Sequence, residues 1–290
     1  MQVIIPMAGH SRRFKSVGYK DPKPFIMIDG KPMIQHICSM FSPSDHFIFV
    51  CNKQHLTTLK YKSILCNIVK NYTIVPIASH ELGPVYSVLQ AGQYVDSDSP
   101  IIMSYCDFMM RWDYAKFLKS VIGYPGVMAV FKGFHPASFG TTFYAYVKAN
   151  ESLEMEELRE KRSFTNDRVN EFASTGVYYV DSWKRFKLYA TELIEKNDKV
   201  ASEFYCSLIY NYMVRDNFKV SLFEVQNFIC WGTPEDLAEY LLWSKFFKKH
   251  FNCCLHKVKP SIAYSNQFEL ELFNYWHKYF SGTGNTLGVK

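Results

Sequence analysis

The sequence contains no C-x-x-C pair, no unbroken apolar run of about 18 residues, and neither common glycine-rich phosphate motif, G-x-x-x-x-G-K-[ST] or G-x-G-x-x-G. Its eight cysteines, at 38, 51, 66, 106, 206, 230, 253 and 254, offer no paired framework, so disulfides are not expected and a reducing compartment is. The start, MQVIIPMAGHSRRF, places its apolar residues before its basic ones and has no small-residue cleavage site. With no membrane-length run, a soluble cytoplasmic protein is expected. Lys and Arg number 33 against 27 Asp and Glu, a net charge of +6, yet blocks of like charge are missing. That disfavours nucleic acid as a partner and suits small anions such as phosphates. Internal repeats, low-complexity tracts, a Ser-His-Asp arrangement and paired carboxylates are all lacking as well.

What is present is a large apolar inventory: 48% of the 290 residues are hydrophobic and 17% aromatic, which excludes disorder. The runs QVIIP, FIFVC, YTIVPI, PIIMSYC and GVMAVF alternate with helix-length segments such as KPMIQHICSMF and PVYSVLQAGQYV. This alternation predicts a Rossmann-like α/β fold with a mixed, mainly parallel sheet flanked by helices. From Thr142 to Val180 the texture changes to FYAYVKA, a charged stretch EELREKRSFTNDRVNEF, then STGVYYV, read as an antiparallel insertion with a polar loop. TPEDLAEYLLWSKFFKKH carries Thr233 as N-cap, Pro234 and the acids Glu235 and Asp236 in its first turn, and basic residues at its end. NQFELELFNYWHKYF then reads as a helix with the stripe Phe268, Leu272, Trp276 and Phe280 and a capping box from Asn266 and Glu269. Residues 1–247 form the main domain in this reading and 248–290 a C-terminal helical extension, whose stripe covers an apolar patch or joins a homodimer.

The strand QVIIP runs into a loop holding Gly9, Ser11, Arg12 and Arg13, with Lys23 following between two prolines. Backbone N–H groups of such a turn and the fixed cations suit a triphosphate, though the loop alone also reads as a plain solvated connection. Asp107 ends the strand PIIMSYC, where open α/β sheets put their ligands, and reads as a Mg²⁺ carboxylate or a turn cap. Asp113 reads as the N-cap of DYAKFLKSVI, and Cys230 as a packed small hydrophobe. His250, Cys253, Cys254 and His256 match no common zinc module and are not assigned a metal.

In order along the chain, IIPMAG, S-R-R-F, DPKPF with IDGKPMIQHI, ELGPVYSVLQA, SYCDFMMRWD, EELREKRSF and WGTPEDL resemble the motifs of the sugar-phosphate nucleotidylyltransferase family, over about Met1 to Phe247. The likeness is greatest to its capsule and cell-surface branch, which includes cytidylyltransferases. It implies transfer of a nucleotide from an NTP, CTP first and UTP second, to a phosphorylated small metabolite with release of pyrophosphate and use of Mg²⁺. It also implies roles. Ala8, Gly9 and Ser11 would border the nucleotide phosphates, Arg13 clamp the β- and γ-phosphates, Lys23 reach the α-phosphate, and Gly83 with Pro84 take the base. Asp107 would bind the metal, while Glu160, Lys161, Thr175 and Gly176 would hold the acceptor. The chain departs from the family where Ser11 replaces a second glycine, where Arg12 replaces a small hydroxyl residue, and where Cys230 and Trp231 stand in place of a second metal carboxylate. That last departure keeps a non-catalytic protein on the same fold, or a metal-dependent glycosyltransferase, as alternatives.

Overall fold

The computed structural model describes residues 1–140, 143–251 and 267–281. The chain opens with β1 (Gln2–Met7), the short α1 (Arg12–Ser16) and a hairpin of β2 (Met27–Ile28) and β3 (Lys31–Pro32). There follow α2 (Met33–Cys38), β4 (His46–Asn52), α3 (Leu59–Ile68), β5 (Tyr72–Ile77), α4 (Pro84–Leu89), β6 (Ile101–Ser104), β7 (Phe108–Arg111), α5 (Tyr114–Ser120) and β8 (Gly126–Phe131). Then come β9 (Ala145–Ala149), β10 (Met155–Glu160), β11 (Phe172–Val180), α6 (Trp183–Glu195), α7 (Ile209–Arg215), β12 (Val220–Glu224), β13 (Asn227–Cys230), α8 (Pro234–Phe251) and α9 (Gln267–Ser281).

Nine of these strands form one sheet, in the order β10-β9-β11-β6-β1-β4-β5, with β8 also on β11 and β12 on β8. From the pairings, only β10 and β11 run against the other seven, so the sheet is mixed and mainly parallel. The reason lies in β1 and β4, which are buried on both faces. Val3, Ile5, Met7, Phe47 and Phe49 point into one core and Ile4, Ile48 and Val50 into the other, as the two-residue period of a strand requires. A third aromatic layer joins Phe14, Trp231, Leu237, Tyr240, Phe247 and α9. Among the described residues no helix is long and apolar enough to cross a membrane, and the described cysteines are free.

Several expectations are corrected in detail. The charged run is not all loop: its first part is β10, antiparallel to β9, with Met155 and Leu158 buried and Glu156 and Glu157 exposed. The strand before Asp107 stops at Ser104, so Asp107 sits in the bend between β6 and β7. In α9 the buried face is Phe273, Trp276, Tyr279 and Phe280, whereas Phe268 is 42% exposed and rests on Phe134 and Phe139. This face covers the aromatic layer on α8. Asn266, Cys253, Cys254, His256 and the side chain of His250 lie outside the described residues. The predicted caps are formed: Asp113 accepts from Lys116 N at 2.9 Å, and Thr233 and Asp236 cap each other's backbone at 3.1 and 3.2 Å.

Gly83 has φ +87°, and a Cβ there would fall 2.7 Å from Phe204 N and 2.8 Å from Glu203 Cβ. Gly83→Ala is therefore expected to lose about 2–3 kcal/mol in urea unfolding, from overpacking against a backbone that cannot give way. Trp276→Ala should cost a similar or larger amount, about 3–5 kcal/mol, because it opens a hole between α8 and α9. An unchanged urea midpoint in the second variant would mean that α9 does not contribute to the core.

Candidate active site

The loop after β1 is held open by local constraints. Ser11 takes a left-handed conformation, φ 56° and ψ 33°, the backbone region that a glycine would occupy freely. Its hydroxyl accepts from Lys23 N at 2.9 Å, which stitches the two ends of the loop together. Around a cavity of about 280 Å³ stand Gly9, Ser11, Arg12, Arg13, Lys23 and Glu203. A Cβ at Gly9 would meet nothing within 4 Å, so the loop leaves open space there. Ala8 is buried beneath it in the core. Arg12 pairs with Glu81, tying this loop to the segment before Gly83.

Lys23 Nζ donates to Asp107 Oδ2 at 2.6 Å and to the Gly232 carbonyl at 3.0 Å. Burial raises the Asp107 pKa, but the Lys23 charge and hydrogen bond, helped by the nearby charges of Arg13 and Lys161, outweigh it and hold the carboxyl below its ordinary value. Asp107 therefore stays ionised, 29% exposed at its side chain, where cations of three segments converge. The position two residues before Gly232 holds Cys230, whose buried thiol donates to Asp236 Oδ2 at 3.4 Å and whose pKa burial pushes up. A neutral thiol does not replace a carboxylate as a hard-metal ligand.

A second cavity, about 260 Å³, adjoins the first, with Arg13 and Gly232 lining both. Its polar groups are Asp107, Glu160, Lys161, Ser174 and Thr175. Its walls are aromatic: Tyr105, Tyr144, Tyr178, Tyr205 and Phe228. Glu160 accepts from Ser207 Oγ at 2.5 Å; burial raises its pKa against the opposing pull of that bond and of Lys161. Lys161, at the end of β10 with φ 56°, sets its ammonium 5.1 Å from the centre of the Tyr205 ring. Thr175 and Gly176 lie in a bulge of β11 between Ser174 and Tyr178. There Thr175 Oγ1 donates to Ala129 O at 3.1 Å, and Gly176, φ +94°, keeps a side chain out of the Tyr105 ring.

The structure thus brings Gly9, Ser11, Arg13, Lys23, Asp107, Glu160, Lys161, Thr175 and Gly176 to two joined cavities. Gly83 and Pro84 line neither, and the close approach that Gly83 permits is to the Phe204 backbone rather than to open space. Sequence reading missed Glu203, whose carboxylate accepts from Tyr205 OH at 2.5 Å, and the four tyrosine walls. No spacing signal links residues 105, 144, 178 and 205. Among the described residues, no group of three His, Cys, Asp or Glu side chains is arranged to hold a metal.

Three comparisons bear on this arrangement. A bifunctional protein GlmU from Methanocaldococcus jannaschii is 30% identical over 199 residues, 68% of this chain, and the match spans 42% of that protein's length. Among solved structures, a nucleoside-diphosphate-sugar pyrophosphorylase from Vibrio cholerae RC9 superposes with a TM-score of 0.69 at 20% identity, over 83% of this chain and 99% of its own. An inositol-1-phosphate CTP transferase from T. maritima gives 0.58 at 17% identity, over 96% of both chains. These two likenesses establish the fold, and the pattern of the MobA-like NTP transferase domain matches residues 3–170. With more than half of its length inside that pattern, the chain belongs to the MobA-like NTP transferase family.

Proposed function

We propose that this protein is a nucleotidyltransferase that joins an NTP to a sugar phosphate or similar phosphorylated metabolite and releases pyrophosphate. The observation that carries the reading is the cluster of Arg13, Lys23 and Lys161 around Asp107, at the junction of two adjoining cavities. CTP is the preferred donor and cell-surface polysaccharide precursor synthesis the setting, both drawn from the family likeness of the motifs. The CTP transferase of T. maritima is a structural neighbour in keeping with that choice. Residues 1–247 would form the catalytic domain and 248–290 the extension, available for a homodimer contact. The protein would act in the cytoplasm.

In this reading the acceptor's phosphate oxygen, already anionic, attacks the α-phosphorus in line. A new P–O bond forms as the α–β bridging P–O bond breaks, and its electron pair leaves with pyrophosphate. No general base is needed; positioning and charge neutralisation carry the rate. Ala8, Gly9 and Ser11 border the phosphates, Arg13 neutralises the β- and γ-phosphates, and Lys23 follows the charge at the α-phosphate. Gly83 and Pro84 would act at the base end indirectly, by holding their segment against the Phe204 backbone. Lys161 grips the acceptor phosphate, Glu160 accepts from its hydroxyls, and Thr175 and Gly176 shape the floor. The single ionised carboxylate of Asp107 suits Mg²⁺, which is commonly held by one or two carboxylates and substrate phosphates. Bound there, the ion would supply charge neutralisation on the phosphate chain.

The Cys230 substitution favours one other reading, a non-catalytic protein on the same fold. Screening the four common NTPs against a panel of sugar 1-phosphates, with Mg²⁺ and pyrophosphate detection, separates the two: no pyrophosphate from any pair overturns the enzymatic reading. Given a productive pair, Asp107→Asn should lower turnover at least ~100-fold with the fold retained, since several kcal/mol of charge stabilisation are lost. Lys23→Ala should reduce both kcat and kcat/KM, whereas Lys161→Ala should raise the acceptor KM at least ~10-fold and leave the CTP KM nearly unchanged. A two-substrate kinetic matrix reads both, and equal effects of Lys161→Ala on the two KM values would remove it from the acceptor end. Because Glu160 accepts from hydroxyls more strongly when ionised and burial raises its pKa, the acceptor KM should climb as pH falls through that pKa, while Asp107, held low, remains charged.

A further inference from the structure

Among the described residues, Glu203 is the one acidic side chain on the wall of the cavity that holds Gly9, Ser11, Arg12, Arg13 and Lys23. Arg12 is already paired with Glu81, and among the described residues Glu203 has no cationic partner. A carboxylate beside a space built to neutralise phosphates weakens anion binding by repulsion, unless it meets a different part of the ligand.

The backbone presents Glu203 from a strained turn between α6 and α7. Glu203 N donates to Val200 O at 3.0 Å and Val200 N to Glu203 O at 3.1 Å, with Ala201 and Ser202 between them at φ 50° and 72°. Glycine or asparagine fills such a turn with little strain, whereas alanine and serine do not. The turn is held because the next residue is laced to the segment around Gly83. Phe204 N donates to Leu82 O at 2.9 Å and Val85 N to Phe204 O at 3.1 Å, and the Glu203 Cβ lies 2.8 Å from where a Gly83 Cβ would stand. The half-buried side chain is oriented as well. Tyr205 OH donates to its Oε2 at 2.5 Å, while Oε1 has no partner among the described residues. The result is a preorganised hydrogen-bond acceptor at the cavity wall.

An ionised carboxylate takes O–H or N–H donors. A nucleoside triphosphate offers its ribose hydroxyls and, with some bases, an exocyclic amine. Lys23, placed above at the α-phosphate, lines the same cavity as Glu203. The ribose is bonded to that phosphate, and the base lies one sugar farther away, so the hydroxyls are the nearer donors. Acidic side chains read ribose hydroxyls in the same manner in dinucleotide-binding α/β folds. We propose that Glu203 is a donor-specificity residue that accepts from the ribose 2′- and 3′-hydroxyls and selects ribonucleoside over dideoxynucleoside triphosphates. The assignment rests on the nucleotidyltransferase reading and adds to it a contact that the motif likeness did not contain.

Equilibrium binding tests this without an acceptor and without turnover. Calorimetry on the full chain with Mg²⁺ would first find which of the four common NTPs binds most tightly, then compare it with its 2′,3′-dideoxy counterpart. The unaltered protein should bind the NTP at least ~10-fold more tightly than the dideoxy form. Glu203→Ala should weaken the NTP at least ~10-fold, yet bind the dideoxy form as well as before or better, because a negative charge has left the neighbourhood of the phosphates. A general loosening of the site cannot move the two ligands in opposite directions. Glu203→Gln, which keeps the shape and a neutral acceptor, should fall between the two proteins and shows the effect even where the alanine variant folds poorly. Equal weakening of both ligands, as a base-amine contact or a purely structural role gives, overturns the assignment. So do tightening of both, no change in either, and an unaltered protein that does not discriminate between them. Each of these leaves the nucleotidyltransferase reading in place, whereas an unaltered protein that binds none of the four NTPs overturns both.

Discussion

The contact of Lys23 with Asp107 and with the Gly232 carbonyl ties together parts of the chain that are 84 and 209 residues apart. It fixes the loop after β1, the bend between β6 and β7, and the turn from β13 into α8 relative to one another. Each of these segments is individually short and irregular, and none could hold a charged side chain to within a fraction of an ångström alone. The pair is only partly screened, with side-chain exposures of 15% and 29%, so removing either member leaves a poorly hydrated charge behind. Such a pair is weak as a source of stability and strong as a device for register. It sets where the two cavities meet and which cations face them.

Much of the fold was legible because the central strands are buried on both faces. A strand in that position must be a run of β-branched or aromatic residues, and QVIIP, FIFVC and GVMAVF are read directly as β1, β4 and β8. The caps at Asp113 and Thr233 were legible for a similar reason, since side-chain chemistry and backbone need coincide within one turn. The strand β10 was hidden in a charged run because it lies at the sheet edge. A bulge between Met155 and Glu157 also breaks its two-residue alternation. In α9 the stripe was misphased because the helix is gripped by α8 over a broad face, so residues 273 and 279 count as much as 276 and 280.

The site was legible to a different degree at its two ends. Cations close to glycine and proline in one loop are a local pattern, and Arg13 and Lys23 could be found by inspection. The second cavity is assembled from the bend after β6, from β7, β9, β10, β11 and β13 and from the segment before α7, so its tyrosines share no spacing. Gly83 has a packing role that its reading as part of a base loop did not contain. Its positive φ and missing Cβ are required by the Phe204 backbone, and Phe204 belongs to the stretch that also delivers Glu203 and Tyr205 to the two cavities. The glycine thus positions site residues that are distant in sequence.

The C-terminal helices bear on the site through the aromatic layer. Trp231 is fully buried beside Gly232, with Phe14, Ile26 and Met33 of the N-terminal loop region in the same cluster as Tyr240, Phe247 and Trp276. Phe14 also lies 5.4 Å below the Lys23 ammonium. The stretch just after Lys23, with Ile26 and Ile28, and the turn at Gly232 are therefore backed by α8 and α9 over a continuous apolar surface. Asp29 reinforces this from the hairpin, its carboxylate taking Tyr240 OH at 2.8 Å, Ser244 Oγ at 2.8 Å and Lys248 Nζ at 2.5 Å. Since packed interiors are stiff, movement of either helix must be felt at the residues that hold Lys23. The extension is in this sense part of the scaffold that orients the charge cluster, although among the described residues none of its side chains lines either of the two joined cavities.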